Sequence, residues 1–383
     1  MKRLEFNATK CVKLHICKES RNLCPKTERG LEIRNVKCVF LEAQDSEMKS
    51  VSDEKYVGDV ISSTGSNDAN ISRRIGVGMA AISQIFGVMH EISLGQNFIE
   101  IGLAMREAVL LSKMLLSSES WHKVFQYQVE KLEEVDRAFF RKLLNSHSKT
   151  GVEFFYSETA SLSIKLKINM RRLLYWWNII HVDKSEMIYR VYRAQKLSPV
   201  CGDWVTLLET DKAQFGVSLS DEDIQKISQF KFKNFIKKKA QELMVENLKK
   251  MQSKNSKSKQ LEVEDFSISQ YLLDARFSKE EREILFKLRS KTIQTKDNFP
   301  NAYLNNNMLY ELCQLFPCTQ FHPLQCPKLV TNIIVDKNVS LSDSDVYGTV
   351  EKQLIYVKIY EQFWKLREKT IEDIKKQKSS ATT

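Results

Sequence analysis

The chain has 383 residues, of which 42% are hydrophobic, and 59 Lys and Arg against 48 Asp and Glu give it a net charge of +11. This apolar content is enough for a large core and excludes a chain that is disordered throughout, while the length corresponds to two or three domains. The surplus of positive charge favours a polyanionic partner, either nucleic acid or an anionic membrane surface.

The sequence also argues against membrane-spanning and secreted proteins. No run of about 18 uncharged apolar residues is present, so we expect no membrane-spanning helix and no membrane partner. The first residues lack the apolar core of a secretion signal, so we expect an intracellular protein, either nuclear or cytoplasmic. The eight Cys are then expected to be reduced thiols or metal ligands rather than disulfides.

The low counts of Gly and Pro, 12 and 6, favour long helices over many short strands. We therefore predict a mainly α fold that begins with a small β-sheet. The predicted regions are strands in 1–65, a helical bundle in 66–200, a basic connecting helix and flexible linker in 201–260, and a C-terminal helical region in 261–383.

The first region predicts a thin sheet. Apolar and polar side chains alternate over 12–17, which is typical of a half-buried strand, and a polar segment follows it. The predicted strands are 12–17, 36–41 and 56–61, and the predicted loops are 18–30 and 43–54. Three short strands need another layer to pack on, so we expect the following helices to cover this sheet.

The second region changes to helical periodicity. Polar residues at 66–68 are candidate helix N-caps, and apolar residues then recur at every third or fourth position. The predicted helices begin near 68, cover about 96–117, include 129–143, and cover about 167–182. Basic residues gather at the start of the fourth helix, and we assign them to nucleic-acid binding: Lys165, Lys167, Arg171 and Arg172.

The third region predicts one long basic helix. Ser220 and Asp223 have the spacing of a capping box, and we expect the helix to run to about Met251. Its predicted nucleic-acid-binding residues are Lys231, Lys233, Lys237, Lys238 and Lys239. Phenylalanines interleave with these lysines and could stack on bases, or they could belong to the core; the lysines could follow phosphates, or form a solvated face. The basic, low-complexity segment 249–260 predicts a flexible linker or an arm that folds on binding.

The fourth region predicts a helix near 278–291, an Asn-rich loop at 301–307 and a terminal helix over 350–377. Between them lies a cluster of four soft ligands within 14 residues: Cys313, Cys318, His322 and Cys326. Zinc prefers tetrahedral thiolate and imidazole ligands, so this cluster is a candidate zinc site. Its spacing matches no standard zinc motif, and the alternative is a Pro-rich loop with buried thiols. The sequence contains no phosphate-binding Gly loop, nucleophile elbow or metalloprotease His pair.

A succession of short motifs gives a more specific indication. In chain order they are Asn7-Ala8-Thr9-Lys10, Tyr56-Val57-Gly58, Ile71-Ser72-Arg73-Arg74-Ile75, Glu119 with Trp121, Arg171-Arg172-Leu173, Gly202-Asp203-Trp204, Lys287-Leu288-Arg289, and Thr319-Gln320-Phe321-His322 with Cys326. In this order the chain resembles the C-terminal part of reverse transcriptases of non-LTR retrotransposons. The resemblance extends from residue 4 to about residue 370.

The resemblance implies an anatomy and roles for several residues. Residues 1–65 would be the end of the palm, 66–200 the thumb that holds template and primer by their backbones, and the Cys/His cluster a zinc knuckle. Lys10 would lie beside the incoming nucleotide, and Tyr56, Val57 and Gly58 would form part of the primer grip. The knuckle departs from the family pattern, because Tyr310 stands where the family's first Cys falls.

The same resemblance implies a missing catalytic centre. Polymerases of this family use two Mg²⁺ ions held by carboxylates, and the chain contains no x-Asp-Asp turn. We therefore expect no polymerase activity from this chain alone, with Mg²⁺ bound and Lys10 active only if an upstream palm supplies the carboxylates. The predicted function is non-specific RNA or DNA backbone binding by a retroelement-derived fragment. The alternatives are a fragment of a longer active polymerase, and a helical protein-interaction module that self-associates through exposed apolar surface.

Overall fold

A computed structural model of the chain describes residues 12–14, 49–51, 53–56, 59–62, 66–91, 97–122, 124–259, 261, 263, 265–293, 298, 322–325 and 341–380. This part of the chain is mainly α-helical, with short strands at its N-terminal end, which confirms the predicted fold class. Among the described helices, none has both the length and the apolarity needed to cross a lipid bilayer.

The strands form two short pairs. They are β1 (Val12–Leu14), β2 (Lys49–Val51), β3 (Asp53–Tyr56) and β4 (Asp59–Ser62). The first two strands pair in parallel, and the last two pair antiparallel, with Tyr56 opposite Asp59. The predicted strand at 12–17 is confirmed over β1, whereas the predicted strand at 36–41 lies outside the described residues.

Two predictions for this region are wrong. The segment 43–54 is not all loop, because it contains β2 and the start of β3. The segment 56–61 is not one strand, because Tyr56 ends β3 and Asp59 begins β4. The sequences of β2 and β3 are mostly polar, so backbone pairing rather than an alternating apolar pattern defines them.

The predicted helices between 66 and 200 are present. The helical elements are α1 (Asp68–Glu91), α2 (Phe98–Met105), a π-helical segment (Arg106–Leu111), α3 (Ser112–Met114), a 3₁₀ turn (Ser118–Ser120), α4 (Gln126–Leu143), α5 (Val152–Glu158), α6 (Ile164–His181) and α7 (Met187–Leu197). The first of them begins at Asp68, within the predicted N-cap region, and the Ser66 hydroxyl accepts a hydrogen bond from the Asp68 amide at 3.1 Å.

The C-terminal part of the described chain is also helical. Its elements are α8 (Trp204–Gln214), α9 (Asp221–Gln225), α10 (Gln229–Lys254), a 3₁₀ turn (Ser256–Ser258), α11 (Gln270–Leu273), α12 (Lys279–Arg289), α13 (His322–Gln325), a second 3₁₀ turn (Asp343–Tyr347) and α14 (Val350–Ser380). The predicted helices near 278–291 and 350–377 are confirmed as α12 and α14. The predicted Asn-rich loop at 301–307 lies outside the described residues.

The long basic helix predicted from Ser220 is in fact two helices. The Ser220–Asp223 capping box is present, but α9 ends at Gln225. A second N-cap, Ser228, then accepts a hydrogen bond from the Lys231 amide and begins α10. Two serine caps only eight residues apart compete for the chain, and each begins its own helix.

The linker predicted over 249–260 is wrong for most of its length. Helix α10 continues to Lys254, and the Asn255 side chain then caps the 3₁₀ turn that follows. Asn255 also donates to the Glu153 carboxylate of α5 at 2.5 Å, and Gln252 donates to the Leu261 carbonyl at 2.5 Å. These polar contacts order a segment whose composition alone is typical of a linker.

Contacts divide the chain into two compact units. Unit 1 comprises the described residues of 1–80, 111–132 and 171–227, and unit 2 those of 81–110, 133–170 and 228–383.

Unit 1 contains a buried ion pair and an aromatic network. The Arg172 guanidinium lies 2.5 Å from the Asp211 carboxylate, and both residues are buried. Nearby on α6, the Trp176 indole donates to the Asp221 carboxylate at 3.2 Å. Asp221 also accepts from the Tyr192 hydroxyl at 2.8 Å and from the Lys196 ammonium at 2.7 Å, so three different side chains converge on one carboxylate.

This convergence predicts an acid-sensitive contribution to stability. Partial burial alone would raise the pKa of Asp221, but the hydrogen bonds from Lys196 and Tyr192 outweigh it and hold the pKa below its ordinary value. Folding therefore favours the ionised carboxylate, so the contribution is complete above the ordinary aspartate pKa of about 3.9 and is lost as the pH falls through the lower folded-state pKa. We expect D221N to destabilise unit 1 at pH 7, and its deficit relative to wild type to shrink as the pH falls below about 3.9. Urea unfolding followed by Trp fluorescence at pH 7 and at a series of acidic pH values measures this; a deficit that keeps the same size throughout would contradict it.

Unit 2 has an aromatic core built around a buried ion pair. Ring contacts run from Phe139 to Phe140, from Phe140 to Phe155 and from Phe155 to Phe286, with centroids 5.7–5.8 Å apart. Beside them, Arg106 in the π-helical segment donates two hydrogen bonds, of 2.7 and 2.8 Å, to Asp136. The Arg106 guanidinium also lies over the Phe140 ring, 4.8 Å from its centroid.

The electrostatics of this pair follow from its burial. The exposed fraction of Arg106 is 1% and that of Asp136 is 0%. Burial alone would lower the pKa of Arg106, but the charge of Asp136 and its hydrogen bonds outweigh this effect and raise the pKa above its ordinary value. The guanidinium therefore stays charged, and each member of the pair depends on the other.

Candidate nucleic-acid interface

Helix α10 has one apolar line that fixes its orientation. Its buried side chains occur at every fourth position: Phe232, Ile236, Ala240, Met244 and Leu248. The helix packs against α5 in unit 2. Since the apolar line lies in the core, the opposite face of α10 is held toward solvent.

Four of the predicted nucleic-acid-binding lysines lie on this solvent-facing side and are exposed: Lys231, Lys233, Lys237 and Lys238. Within the described part of the chain, none of the four forms an ion pair, whereas Lys239 is half-buried and lies 2.8 Å from the Glu242 carboxylate. The structure thus separates four exposed lysines without ion pairs from one that is already paired, although the charge of Glu242 also acts on Lys238. We call these four residues the lysine face.

The position of the lysine face is unfavourable for the helix itself. From 224 to 241 the sequence contains six Lys and no Asp or Glu. Lys231 lies in the first turn of α10, where the positive end of the helix dipole favours carboxylates rather than lysines. Lys233 and Lys237 are also four positions apart, where like charges repel each other by a few tenths of a kcal/mol. A bound anion would relieve both effects.

The basic residues of α6 are placed differently. Lys165 is exposed, but the Lys167 ammonium lies 2.7 Å from the Glu107 carboxylate. Arg171 donates to the Leu115 carbonyl, and its guanidinium lies 3.9 Å from the Glu119 carboxylate. Among the α6 residues assigned to nucleic-acid binding, only Lys165 is thus exposed without an ion pair in the described part of the chain, although its charge acts on Glu133.

The assignment of Arg172 to nucleic-acid binding is wrong, because this residue is buried. Its exposed fraction is 3%, and its guanidinium bonds to Asp211 and to the Trp121 carbonyl. The charge of Arg172 is therefore neutralised by Asp211 in the core of unit 1 and is not available at the surface. The sequence shows the basic pair Arg171-Arg172, but it does not show which of the two faces Asp211, a partner 39 positions away.

The remaining predicted site residues are not positioned by the structure. Tyr56 ends β3 and His322 begins α13. The others lie outside the described residues: Lys10, Val57, Gly58, Cys313, Cys318 and Cys326. Within the described ranges, no three His, Cys, Asp or Glu side chains converge in a way that could hold a metal ion.

The sequence allows the phenylalanines of α10 either to belong to the core or to stack on bases, and the structure separates them. Phe232 is buried, whereas Phe230 and Phe235 are exposed beside the lysine face. The spacing of the buried line, with one apolar residue every four positions from Phe232, is the signal that distinguishes them in the sequence.

Comparisons with protein-family models, with curated proteins and with solved structures give no match to this chain. The resemblance to reverse transcriptases therefore stays a prediction based on the order of its motifs.

Proposed function

We propose that the chain binds RNA or DNA through the phosphate backbone, with the lysine face of α10 as its main contact. One observation carries the proposal: four exposed lysines without ion pairs lie on a helix whose other side is fixed in the core of unit 2. Lysine ammonium groups act as point charges and do not present the planar fork of arginine, so the contact reads charge and not base sequence.

The expected affinity comes from counterion release. Each phosphate neutralised by a lysine adds about 0.9 to the slope of log K against log salt for duplex DNA, and about 0.7 for a single strand. Four such contacts would account for a slope of roughly 3 to 4. The rest of the +11 net charge would steer a polyanion toward the protein but would be screened beyond about 10 Å at 0.1 M salt.

A salt titration tests this proposal directly. We expect the affinity for a labelled oligonucleotide, measured by fluorescence anisotropy between 50 and 500 mM NaCl, to fall with a slope of about 3 or more. Two unrelated oligonucleotide sequences of equal length should give similar affinities. An affinity that does not change with salt would refute backbone binding, and a strong difference between the sequences would refute non-specific recognition.

We also propose that the chain derives from a reverse transcriptase and lacks polymerase activity by itself. The motif order supports the origin, and the absence of an x-Asp-Asp turn from the sequence supports the inactivity. Primer extension by the purified chain with Mg²⁺ should give no product. An in-frame x-Asp-Asp turn in the genomic sequence upstream would instead favour a fragment of a longer active polymerase.

A second candidate function is self-association. Helix α7 in unit 1 exposes three apolar side chains: Met187, Val191 and Leu197. An exposed apolar stripe of this kind often marks an interface. Its exposed side also carries Arg190 and Arg193, which would repel their copies if two α7 helices paired. Sedimentation at several protein concentrations separates a self-associating protein from a monomeric nucleic-acid binder.

A further inference from the structure

We infer that α10 binds single-stranded nucleic acid in preference to duplex, with Phe230 and Phe235 stacking on unpaired bases. This inference rests on the proposed function of the lysine face and names its ligand more closely.

The first observation is the exposure of two large apolar side chains on a basic helix. Phe230 is 74% exposed and Phe235 is 37% exposed, whereas Phe232 between them is buried. Among the described phenylalanines, one other is exposed, Phe125, and it stacks on Tyr127 with ring centroids 5.9 Å apart. Neither exposed ring of α10 has a ring partner in the described part of the chain.

The second observation is the spacing of these rings relative to the lysines. Phe230 lies one helical turn before Lys233 and two turns before Lys237. Phe235 lies one turn after Lys231 and one turn before Lys238. Each exposed ring therefore shares its side of the helix with two exposed lysines, so a base on the ring and phosphates on the lysines can be bound together.

The combination of exposed lysines and exposed rings distinguishes a single strand from a duplex. Lysines contact phosphates in either form, but the faces of duplex bases are already covered by their neighbours in the stack. Bases of a single strand are free to cover an aromatic ring, and such stacking does not depend strongly on base identity. The rings therefore add affinity for a single strand only.

An anionic membrane surface is the other polyanion that Lys and Phe side chains can bind. Two features favour the single strand. The continuous apolar line of α10 lies in the core and is not available for insertion into lipid. Phe230 and Phe235 are about 140° apart around the helix axis, so a flat bilayer would not contact both rings at once, whereas a flexible strand can follow the surface.

The test compares matched ligands and variants of the full chain. Anisotropy is measured with a 15-nucleotide single strand and with the 15-base-pair duplex of the same sequence. We expect F230A/F235A to lose about 30-fold or more in affinity for the single strand, with duplex affinity and the salt slope unchanged. The variant F230W/F235W, which keeps aromatic rings, should retain the preference for single strands. F125A, which removes an exposed ring that is not part of α10, is the control and should bind both ligands as wild type does.

Each other outcome has a definite meaning. No loss, or equal losses on both ligands with an unchanged circular dichroism spectrum, would overturn the stacking inference while backbone binding stands. If K233Q/K237Q leaves both affinities and the salt slope unchanged, the proposed function itself fails. The third measurement is cosedimentation with vesicles that contain anionic lipid. If the wild-type protein binds these vesicles and F230A/F235A does not, the inference is overturned in favour of a membrane surface.

Discussion

Replacing Lys231, Lys233, Lys237 and Lys238 together with Gln is expected to lower the affinity for nucleic acid by roughly 1,000-fold near 0.15 M salt. The physical reason is the loss of four phosphate contacts, which removes about 3.6 from the salt slope for duplex DNA. The wild-type and variant affinities should therefore converge as the salt concentration approaches 1 M. Gln is nearly as good a helix former as Lys, so α10 should persist, and circular dichroism checks this.

A charge-matched variant separates the lysine face from net charge. Lys149, Lys184, Lys358 and Lys365 are exposed and lie outside α10. Replacing these four with Gln removes the same charge, and we expect a much smaller loss of affinity and a slope close to that of wild type. Equal losses in the two quadruple variants would mean that the charge of the whole protein, and not the lysine face, determines binding.

The second large effect concerns the stability of unit 2. We expect R106M to lower the free energy of unfolding by about 3–5 kcal/mol, because it leaves the fully buried Asp136 carboxylate without its charged partner. Urea unfolding gives the overall change. Because the chain has two compact units, amide hydrogen exchange over 133–143 is the more specific measurement for unit 2.

The double variant R106M/D136L tests the reason for this loss. If the unpaired buried charge causes it, removing the carboxylate as well should restore much of the lost stability. If the double variant is no more stable than R106M, the loss arises from packing, including the contact of the Arg106 guanidinium with Phe140.

The helices were the most predictable part of the fold. The apolar stripe within 129–143 predicts α4 because a helix that covers a core needs an apolar residue at every third or fourth position. The capping box at Ser220 was equally readable, since its two hydrogen bonds depend only on residues three positions apart. What these features share is that their physical cause is local in sequence.

The elements that the sequence predicts incorrectly depend on partners far along the chain or on competition between local signals. The strands β2 and β3 are defined by backbone pairing and not by composition. The separation of α9 from α10 depends on a second cap, Ser228, which competes with the apolar pattern that continues past it. The segment at 249–258 resembles a linker until Asn255 is seen to bond to Glu153.

The candidate site divides in the same way. Five lysines on α10 could be assigned from the sequence, but only the structure shows that Lys239 is paired with Glu242 and that the other four are exposed. Arg172 was misassigned because the position of an ion-pair partner such as Asp211 is a property of the folded chain. Charge can be counted in a sequence, whereas its neutralisation depends on tertiary contacts.

The crowding of lysines in the N-terminal half of α10 has a practical consequence. A face whose like charges repel each other makes the ligand-free protein the less stable form, so any polyanion that binds it acts as a stabiliser by mass action. Protein expressed in cells should then carry host RNA through purification, and its ultraviolet spectrum should show excess absorbance at 260 nm until a high-salt wash. Heparin is also a polyanion and should displace the bound RNA for the same reason. A buffer that contains a polyanion should likewise change the thermal stability of α10.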